Sequence, residues 1–297
     1  MIVVLGASGF VGSTFSECLQ VKGLEYCGMS RSDLDYSDEV SLLDWLLKER
    51  PRFLINVAGY TGKPNVDACE LHKTDCLLGN AVLPGKIRVA CEKARIPWGH
   101  VSSGCIYSGR RPDGQGWREE DSPNFSFRSP PCSFYSGTKA LGEELLDGAK
   151  ECYVWRLRIP FNHEKTPRNY LNKLLSYDRL LDAENSISHL DEFVQACIAC
   201  FENKIPYGTY NMTNPGSITT RQVTEWMLEE GLTDQKFDFF ENEEAFMRDA
   251  VSTPRSNCVM DSGKLAAAGI EMRPVEEAVR DSLRKMRKLS NSKELMV

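Results

Sequence analysis

Residues 1–12 have the sequence MIVVLGASGFVG, a short apolar run that is followed at once by three glycines spaced three residues apart. Phe10, Val11, Phe15 and Leu19 then recur at helical spacing, which places them on one side of a helix. The order is therefore strand, glycine turn and helix. This order indicates the first unit of a nucleotide-binding α/β fold.

Each glycine of this turn has a separate physical reason. Gly6 permits the tight turn, Gly9 lets the backbone approach a pyrophosphate, and Gly12 lets the helix pack closely on the strand. Amides at the start of the helix then face the phosphates. The alternative is a plain tight turn. We predict a dinucleotide site formed by Gly6, Ser8, Gly9, Phe10, Val11 and Gly12.

Ser30 and Arg31 follow a second candidate strand, about 20 residues beyond the glycine turn. An NAD-binding protein commonly has an acidic residue there to accept from a ribose hydroxyl. A cation with a neighbouring hydroxyl suits a 2'-phosphate instead, so NADP(H) is the expected cofactor. The alternative is a solvated loop arginine.

Further strands and helices alternate through the first 160 residues. The strand at 53–57 runs into Ala58, Gly59 and Tyr60, which we expect to contact the cofactor because ligands bind at the carboxyl ends of parallel strands. After residue 160, prolines separate short elements. The predicted fold is α/β, a Rossmann-type doubly wound parallel sheet (1–160), followed by a smaller substrate-binding lobe (161–297) with segments that return to the sheet.

Ser103, Tyr135 and Lys139 are the candidate catalytic groups for a carbonyl reduction. Ser103 ends a predicted strand, and the two others share one face of a helix because they are four residues apart. A free tyrosine has a pKa of about 10, and a neighbouring ammonium favours its phenolate. Ser103 is expected to hold the substrate oxygen while Tyr135 protonates it. The alternative is a surface pair.

Composition excludes several classes of partner. The net charge of −6 offers no basic field for nucleic acid. No run reaches the roughly 18 apolar residues that cross a bilayer, and no signal peptide is recognised.

Eleven scattered cysteines fit a reduced cytoplasmic protein. Cys197 and Cys200 have the spacing of metal ligands but lie in a helix-like run without further ligands, so no metal is expected. A homodimer is left open.

At this point the chain resembles the extended short-chain dehydrogenases, and within them the dTDP-4-dehydrorhamnose reductase-like branch. The closest likeness is to the bifunctional epimerase-reductases that make nucleotide-rhamnose. The resemblance covers most of the chain and rests on these segments: 6–12, 56–67, 103–106, 119–121, 123–125, 134–139, 167–170 with Lys173, 211–216 and 254–257.

The resemblance implies 3,5-epimerisation of a UDP- or dTDP-4-keto-6-deoxy-glucose and then NADPH reduction at C4. Plain reductases of the branch have Thr-Asp-Tyr where this chain has Ser103-Gly104-Cys105. In the bifunctional enzymes a cysteine there and a later lysine are assigned to epimerisation, which corresponds to Cys105 and Lys173. A buried structural cysteine and a solvated lysine are the alternatives.

Epimerisation also makes physical sense with these two groups. An enolate at the C4 oxygen makes the ring protons acidic enough for a positioned base, and a second group must return the proton on the opposite face. A thiolate and an amine can each be tuned toward neutral pH. Which of them removes the proton is left open.

The remaining predictions concern the substrate and the C-terminal region. His189 is expected to be structural, Asp191 to cap a helix over 192–202, and the basic tail at 284–293 to fray. A reductase without epimerase activity and a non-catalytic NADP-binding regulatory subunit are the rival functions. The expected substrate-binding residues are Lys63, Asn65, Ser103, Gly104, Arg168, Asn169, Asn211, Asn214, Arg255 and Asn257.

Overall fold

The computed structural model describes residues 1–63 and 65–294, with side chains described up to residue 290. Within these ranges the strands are, in chain order, β1 (Ile2–Leu5), β2 (Tyr26–Met29), β3 (Phe53–Asn56), β4 (Trp98–Ser103), β5 (Cys152–Leu157), β6 (Pro160–Phe161), β7 (Arg179–Leu180), β8 (Glu184–Asn185), β9 (Ser188–His189), β10 (Gly208–Asn211), β11 (Ile218–Thr219) and β12 (Asp238–Phe239).

The α-helices are, in chain order, α1 (Phe10–Val21), α2 (Glu39–Glu49), α3 (Ala68–Leu71), α4 (Lys73–Leu77), α5 (Leu83–Ala94), α6 (Phe134–Leu145), α7 (Tyr170–Ser176), α8 (Leu190–Glu202), α9 (Thr220–Glu229), α10 (Glu243–Asp249), α11 (Gly263–Ala267) and α12 (Val275–Glu294). A π-helical turn at Leu78–Val82 joins α4 to α5, and a 3-10 turn at Gly104–Ile106 follows β4.

Six strands form one parallel sheet in the order β10-β5-β4-β3-β1-β2. The register pairs Leu5 with Asn56 and Ser103 with Leu157, so the carboxyl ends of the central strands lie on one edge. The strand order reverses between β1 and β3, and such a switch point is where open α/β sheets bind their ligands. The predicted Rossmann-type α/β fold is confirmed.

The sheet carries a hydrophobic layer on each face. One layer joins β-strand residues to α1 and α8, with Phe15, Trp155 and Phe193 fully buried. The other joins the sheet to α2 and α5 through Leu42, Leu46 and Ile87 among others. The strands are apolar on both faces because helices cover both sides of the sheet.

A second core lies outside the sheet and holds the C-terminal lobe together. It joins α7, α9 and α12 through buried residues that include Phe161, Leu171, Val223 and Val279. The chain does not stay in this lobe after residue 160, because β10 pairs with β5 and α8 packs on α1. Returning segments of this kind are what the sequence predicts.

Two local predictions were wrong. The tail does not fray at Arg284, since α12 runs from Val275 to Glu294 and buries Leu283 on its apolar side. Asp191 does not cap α8, because the helix begins at Leu190 and the His189 ring nitrogen accepts from the Glu192 amide at 3.4 Å. Of the helices in the described ranges, none has the length and apolar character needed to cross a membrane.

Candidate active site

The glycine turn between β1 and α1 is as tight as the sequence indicates. Gly6 has φ of +81°, and a Cβ there would lie 2.8 Å from the Ala58 amide nitrogen. A Cβ on Gly12 would lie 2.2 Å from the Gly6 carbonyl oxygen, so α1 packs directly on the turn. Among the described residues, nothing accepts from the amides of Phe10, Val11 and Gly12. These free donors at a helix N-terminus suit an anion.

The end of β2 differs from the simple expectation in one respect. Arg31 is exposed and lies beside the Tyr36 phenol; burial raises the pKa of that phenol, and Arg31 opposes the rise. The Ser30 hydroxyl, however, donates to the Asp33 carboxylate at 2.6 Å, and the Ser30 amide donates to it at 2.8 Å. The hydroxyl and then the amide lower the pKa of Asp33. Sequence analysis missed this acid, which orders the loop that presents Arg31.

The loop after β3 is held by Asn80, which sequence analysis also missed. The Tyr60 amide donates to Asn80 Oδ1 at 2.9 Å, and Asn80 Nδ2 donates to the Tyr60 carbonyl at 2.8 Å. Asn80 lies in the π-helical turn, a distortion that is frequent at functional sites. Gly59 lies against this amide and the Lys139 ammonium, since its Cβ would be 3.1 and 3.7 Å from them.

Ser103, Tyr135 and Lys139 come together at the carboxyl end of β4. The Ser103 hydroxyl accepts from the Cys105 amide at 3.2 Å and lies near enough to Tyr135 to affect the pKa of its phenol, and Lys139 Nζ donates to the Val101 carbonyl at 3.3 Å. Ser133 begins the helix by accepting from the Ser136 amide at 3.1 Å, which sets the register of α6. The predicted cluster therefore forms within one unit of the fold.

Burial dominates the electrostatics of this cluster. It raises the pKa of Tyr135 above the ordinary value, with Cys105 adding to the rise and Ser103 opposing it. It also lowers the pKa of Lys139 to about 8. Lys139 is not among the groups that chiefly shift the pKa of Tyr135, and the expected lowering of that pKa by Lys139 stays a prediction. A buried phenol keeps its proton at neutral pH, which is the state that a proton donor needs.

Buried polar side chains surround the cluster of Ser103, Tyr135 and Lys139. Glu143, one turn beyond Lys139 on α6, accepts from the Ser102 hydroxyl at 2.5 Å and forms an ion pair with Arg156 at 2.7 Å. The Glu143 charge favours the ammonium form of Lys139. His100, fully buried on β4, bonds to Asn56 at 2.9 Å, and burial holds the pKa of its imidazole well below the usual range.

Cys105 is half-buried in the 3-10 turn, two residues after Ser103. Its sulfur accepts from Arg158 Nη1 at 2.9 Å. Gly104 has no room for a side chain, because a Cβ there would lie 2.3 Å from the Met260 sulfur. Gly104 therefore lets the chain pass close to Met260 in the turn that separates Ser103 from Cys105.

Lys173 lies on α7 of the second lobe, half-buried among other cations. Burial, then Arg168 and Arg255, lowers the pKa of Lys173. Arg255 forms a bidentate ion pair with Asp67 at 2.7 and 2.9 Å, and Arg168 donates to the Thr61 hydroxyl at 2.7 Å. These contacts join the second lobe to the loop after β3. The two guanidinium groups beside Lys173 suit the oxygens of a diphosphate.

Three of the residues predicted to bind substrate instead have structural roles. Asn169, Asn211 and Asn214 are fully buried. Asn169 caps α7, Asn211 donates to two carbonyls at 2.9 Å each, and Asn214 binds the Glu192 carboxylate and the Arg273 carbonyl, again at 2.9 Å each. Their amides are satisfied by the protein. The structure therefore does not bring them to the ligand cleft.

The other polar candidates are more accessible. Lys63 is exposed, and Asn65 uses its side-chain oxygen to accept from the Asp67 amide at 2.8 Å. Asn257 is half-buried and accepts from the Asn185 amide group at 3.2 Å. Cys197 and Cys200, which have metal-like spacing in the sequence, lie fully buried on α8 in the core.

Comparison with known proteins identifies the family of the chain. The family model described as RmlD substrate binding domain matches residues 1–288. A bifunctional dTDP-4-dehydrorhamnose 3,5-epimerase/dTDP-4-dehydrorhamnose reductase of Arabidopsis thaliana is 30% identical over 286 residues, which is 93% of this chain and 90% of that protein. The chain spans only about two fifths of the trifunctional Arabidopsis relatives that it also matches.

Solved structures show the same fold. The UDP-rhamnose synthase L780 of Acanthamoeba polyphaga mimivirus has a TM-score of 0.87 at 25% identity, covering 96% of this chain and 99% of that one. The dTDP-4-dehydrorhamnose reductase of Bacillus anthracis, solved in complex with NADP, has a TM-score of 0.79 at 17% identity, covering 96% and 97%. The chain therefore belongs to the RmlD substrate binding domain family, in the dTDP-4-dehydrorhamnose reductase-like branch of the short-chain dehydrogenases.

Proposed function

We propose that this protein is an NADPH-dependent 3,5-epimerase/4-reductase that converts a UDP- or dTDP-4-keto-6-deoxy-glucose to the nucleotide-L-rhamnose. The observation that carries the proposal is the placement of Cys105 two residues from Ser103, beside the Tyr135 phenol. A keto sugar bound at the end of β4 would contact both the reductive groups and the candidate epimerising thiol. A 4-reductase of nucleotide keto sugars is the coarser function that the family supports.

The residues of the glycine turn fit NADP(H). The free amides at the start of α1 suit the pyrophosphate, and exposed Arg31 suits a 2'-phosphate. The bound cofactor supplies hydride. Within the described structure the Lys139 ammonium has one hydrogen bond, to a backbone carbonyl at 3.3 Å, which supports a role for it in binding the cofactor ribose. The structure of a family member with NADP supports the same cofactor.

The reductive step needs a donor at the C4 oxygen. Ser103 binds this oxygen, and Tyr135 transfers its proton to it as the negative charge develops. Because burial keeps Tyr135 protonated, the phenol is ready before the sugar binds. Lys139 then stabilises the phenolate that remains, since its positive charge lies in the same buried site.

The epimerising step uses the same oxygen and two other groups. Ser103 and Tyr135 stabilise the enolate that forms when a ring proton leaves. Cys105 and Lys173 exchange protons with the ring carbons from opposite faces.

Arg168 and Arg255, together with exposed Lys63, are the residues that we expect to bind the diphosphate. Cytoplasmic location and a homodimer stay predictions.

The test is a reaction of purified protein with NADPH and UDP-4-keto-6-deoxy-glucose in heavy water, repeated with the dTDP sugar. Product mass and NMR should show a rhamnose that carries deuterium at C3 and C5. NADPH oxidation without deuterium at these carbons would leave a simple reductase. No NADPH oxidation with either sugar, together with no deuterium in the recovered keto sugar, would contradict both activities and favour the regulatory subunit.

Cys105→Ser is the matched variant for this test, because it changes one atom in the candidate pair. We expect it to abolish deuterium entry and to leave reduction of an already epimerised 4-keto-rhamnose within about threefold of the wild type. Loss of both activities together would instead give Cys105 a structural role.

A further inference from the structure

Arg158 is a buried cation without a carboxylate. It directly follows β5, is only 2% exposed, and no Asp or Glu of the described residues pairs with it. One terminal nitrogen donates to Asn185 Oδ1 at 2.5 Å and to the Ser256 carbonyl, and the other donates to Cys105. A buried charge is costly unless an opposite charge or a dense set of hydrogen bonds compensates it.

Arg156 shows what the fold does with an ordinary buried arginine. It lies two residues earlier, is 4% exposed, and forms a bidentate ion pair with Glu143. Arg158 has no such partner, and its Nε makes no hydrogen bond within the described structure. The nearby groups that can carry negative charge against it are two thiols, Cys258 and Cys105, and the Tyr135 phenol.

The two cysteines near Arg158 differ in their hydrogen bonds. Cys258 is fully buried, its sulfur donates to the Gly104 carbonyl at 3.4 Å, and burial raises the pKa of the thiol. A donating thiol keeps its proton. The Cys105 sulfur instead accepts from the guanidinium, and hydrogen bonds from cations are stronger to an anion than to a neutral group. Cys105 is therefore the sulfur that faces the guanidinium as a hydrogen-bond acceptor.

We propose that Arg158 is a positioning residue that holds Cys105 as a thiolate, which makes Cys105 the base of the epimerisation and Lys173 the acid. This inference rests on the proposed function. The ring C–H bond breaks, its electron pair enters the enolate, and the proton forms an S–H bond on Cys105. An N–H bond of Lys173 then breaks as a new C–H bond forms on the opposite face. Solvent removes the proton from the thiol and restores the one on the amine.

The first test uses the wild-type protein alone. Cys105 and Cys132 are both half-buried, but burial raises the pKa of Cys132, and no arginine hydrogen bond to it is seen in the described structure. We expect iodoacetamide at pH 7 to alkylate Cys105 at least about tenfold faster, as peptide mass spectrometry will measure, since the thiolate is the reacting form. Equal rates, or faster reaction of Cys132, would overturn the proposal.

The second test changes the arginine. Arg158→Met should remove the rate advantage of Cys105 over Cys132 and lower deuterium exchange by about tenfold or more, while reduction of already epimerised sugar continues. Arg158→Lys, which keeps a charge without the planar fork, should fall between the wild type and Arg158→Met. A purely structural role would lower reduction and exchange together and would not be rescued by lysine.

These outcomes separate the inference from the proposed function. No deuterium in the wild-type product would contradict the epimerase activity, whereas normal exchange and normal Cys105 alkylation in Arg158→Met would contradict the inference alone. If Arg158→Met loses reduction because it misfolds, the wild-type alkylation ratio decides.

Discussion

The two halves of the candidate site are assembled in different ways. The reductive half, Ser103, Tyr135 and Lys139, comes from the end of β4 and one turn of α6. The epimerising half takes Cys105 from the sheet unit and Lys173 from α7 of the second lobe. The first half depends on local geometry, and the second depends on how the two lobes meet.

The contacts between the lobes combine a buried hydrophobic cluster with partly exposed polar pairs. Arg255 pairs with Asp67 at 2.7 Å, with about a fifth of each side chain exposed, and Thr253 donates to Glu70 at 2.9 Å. The diphosphate of a substrate can therefore compete for Arg255. The difference between the halves teaches that the reductive groups are fixed within one unit of the fold, whereas the position of Lys173 depends on how the second lobe packs against that unit.

The largest expected effect tests whether the halves share Tyr135. Tyr135→Phe should lower kcat for reduction by about 10²–10⁴-fold, because it removes the proton donor. It should also lower deuterium exchange, since both steps build charge on the C4 oxygen. Rates of NADPH oxidation and of deuterium entry, measured side by side, check this. Exchange at the wild-type rate would show that the halves work independently.

A second prediction concerns Lys139, whose pKa burial lowers to about 8. Below pH 8 the folded protein holds a buried ammonium that the unfolded chain solvates freely, which destabilises the fold. The penalty declines between pH 8 and the ordinary lysine pKa of about 10.4 and is gone above it. Lys139→Met should therefore raise the free energy of unfolding by about 1–3 kcal/mol at pH 7, while reduction falls by about 10²-fold or more.

Denaturation of the nucleotide-free protein at pH 7 and pH 10.5 measures this. The advantage of the variant should shrink at the higher pH. A variant that is less stable than the wild type at pH 7 would show that packing by the Lys139 stem outweighs its charge.

The smallest expected effect compares two residues that the sequence placed together as substrate ligands. Arg255→Leu should raise KM for the nucleotide sugar by about tenfold with little change in stability, because it removes one phosphate contact. Asn211→Ala should leave KM unchanged and lower the free energy of unfolding by about 1–3 kcal/mol, since it leaves buried carbonyls without donors. Steady-state kinetics and urea unfolding of both variants measure these effects. A higher KM for Asn211→Ala and a loss of stability for Arg255→Leu would contradict the assignment of the two residues.

Much of the fold followed from local sequence patterns. The glycine turn, the alternating strands and helices, and the Tyr135 and Lys139 spacing each depend on neighbours in the chain, and the structure has them where the patterns predict. The helix cap at His189 and the long α12 were missed, since helix ends depend on side-chain contacts rather than on periodicity.

By itself, the sequence determined the succession of strand, glycine turn and helix at the N-terminus, the groups of the reductive half and the family resemblance. Only the tertiary structure decided that Asn211 supports the fold, that Asn80 holds the loop of Tyr60, and that Arg158 reaches Cys105 across 53 positions of the chain. The physical reason is that burial and hydrogen-bond partners depend on residues far apart in sequence. Composition and spacing constrain only near neighbours, whereas the charge on a sulfur or an ammonium is set by everything packed around it.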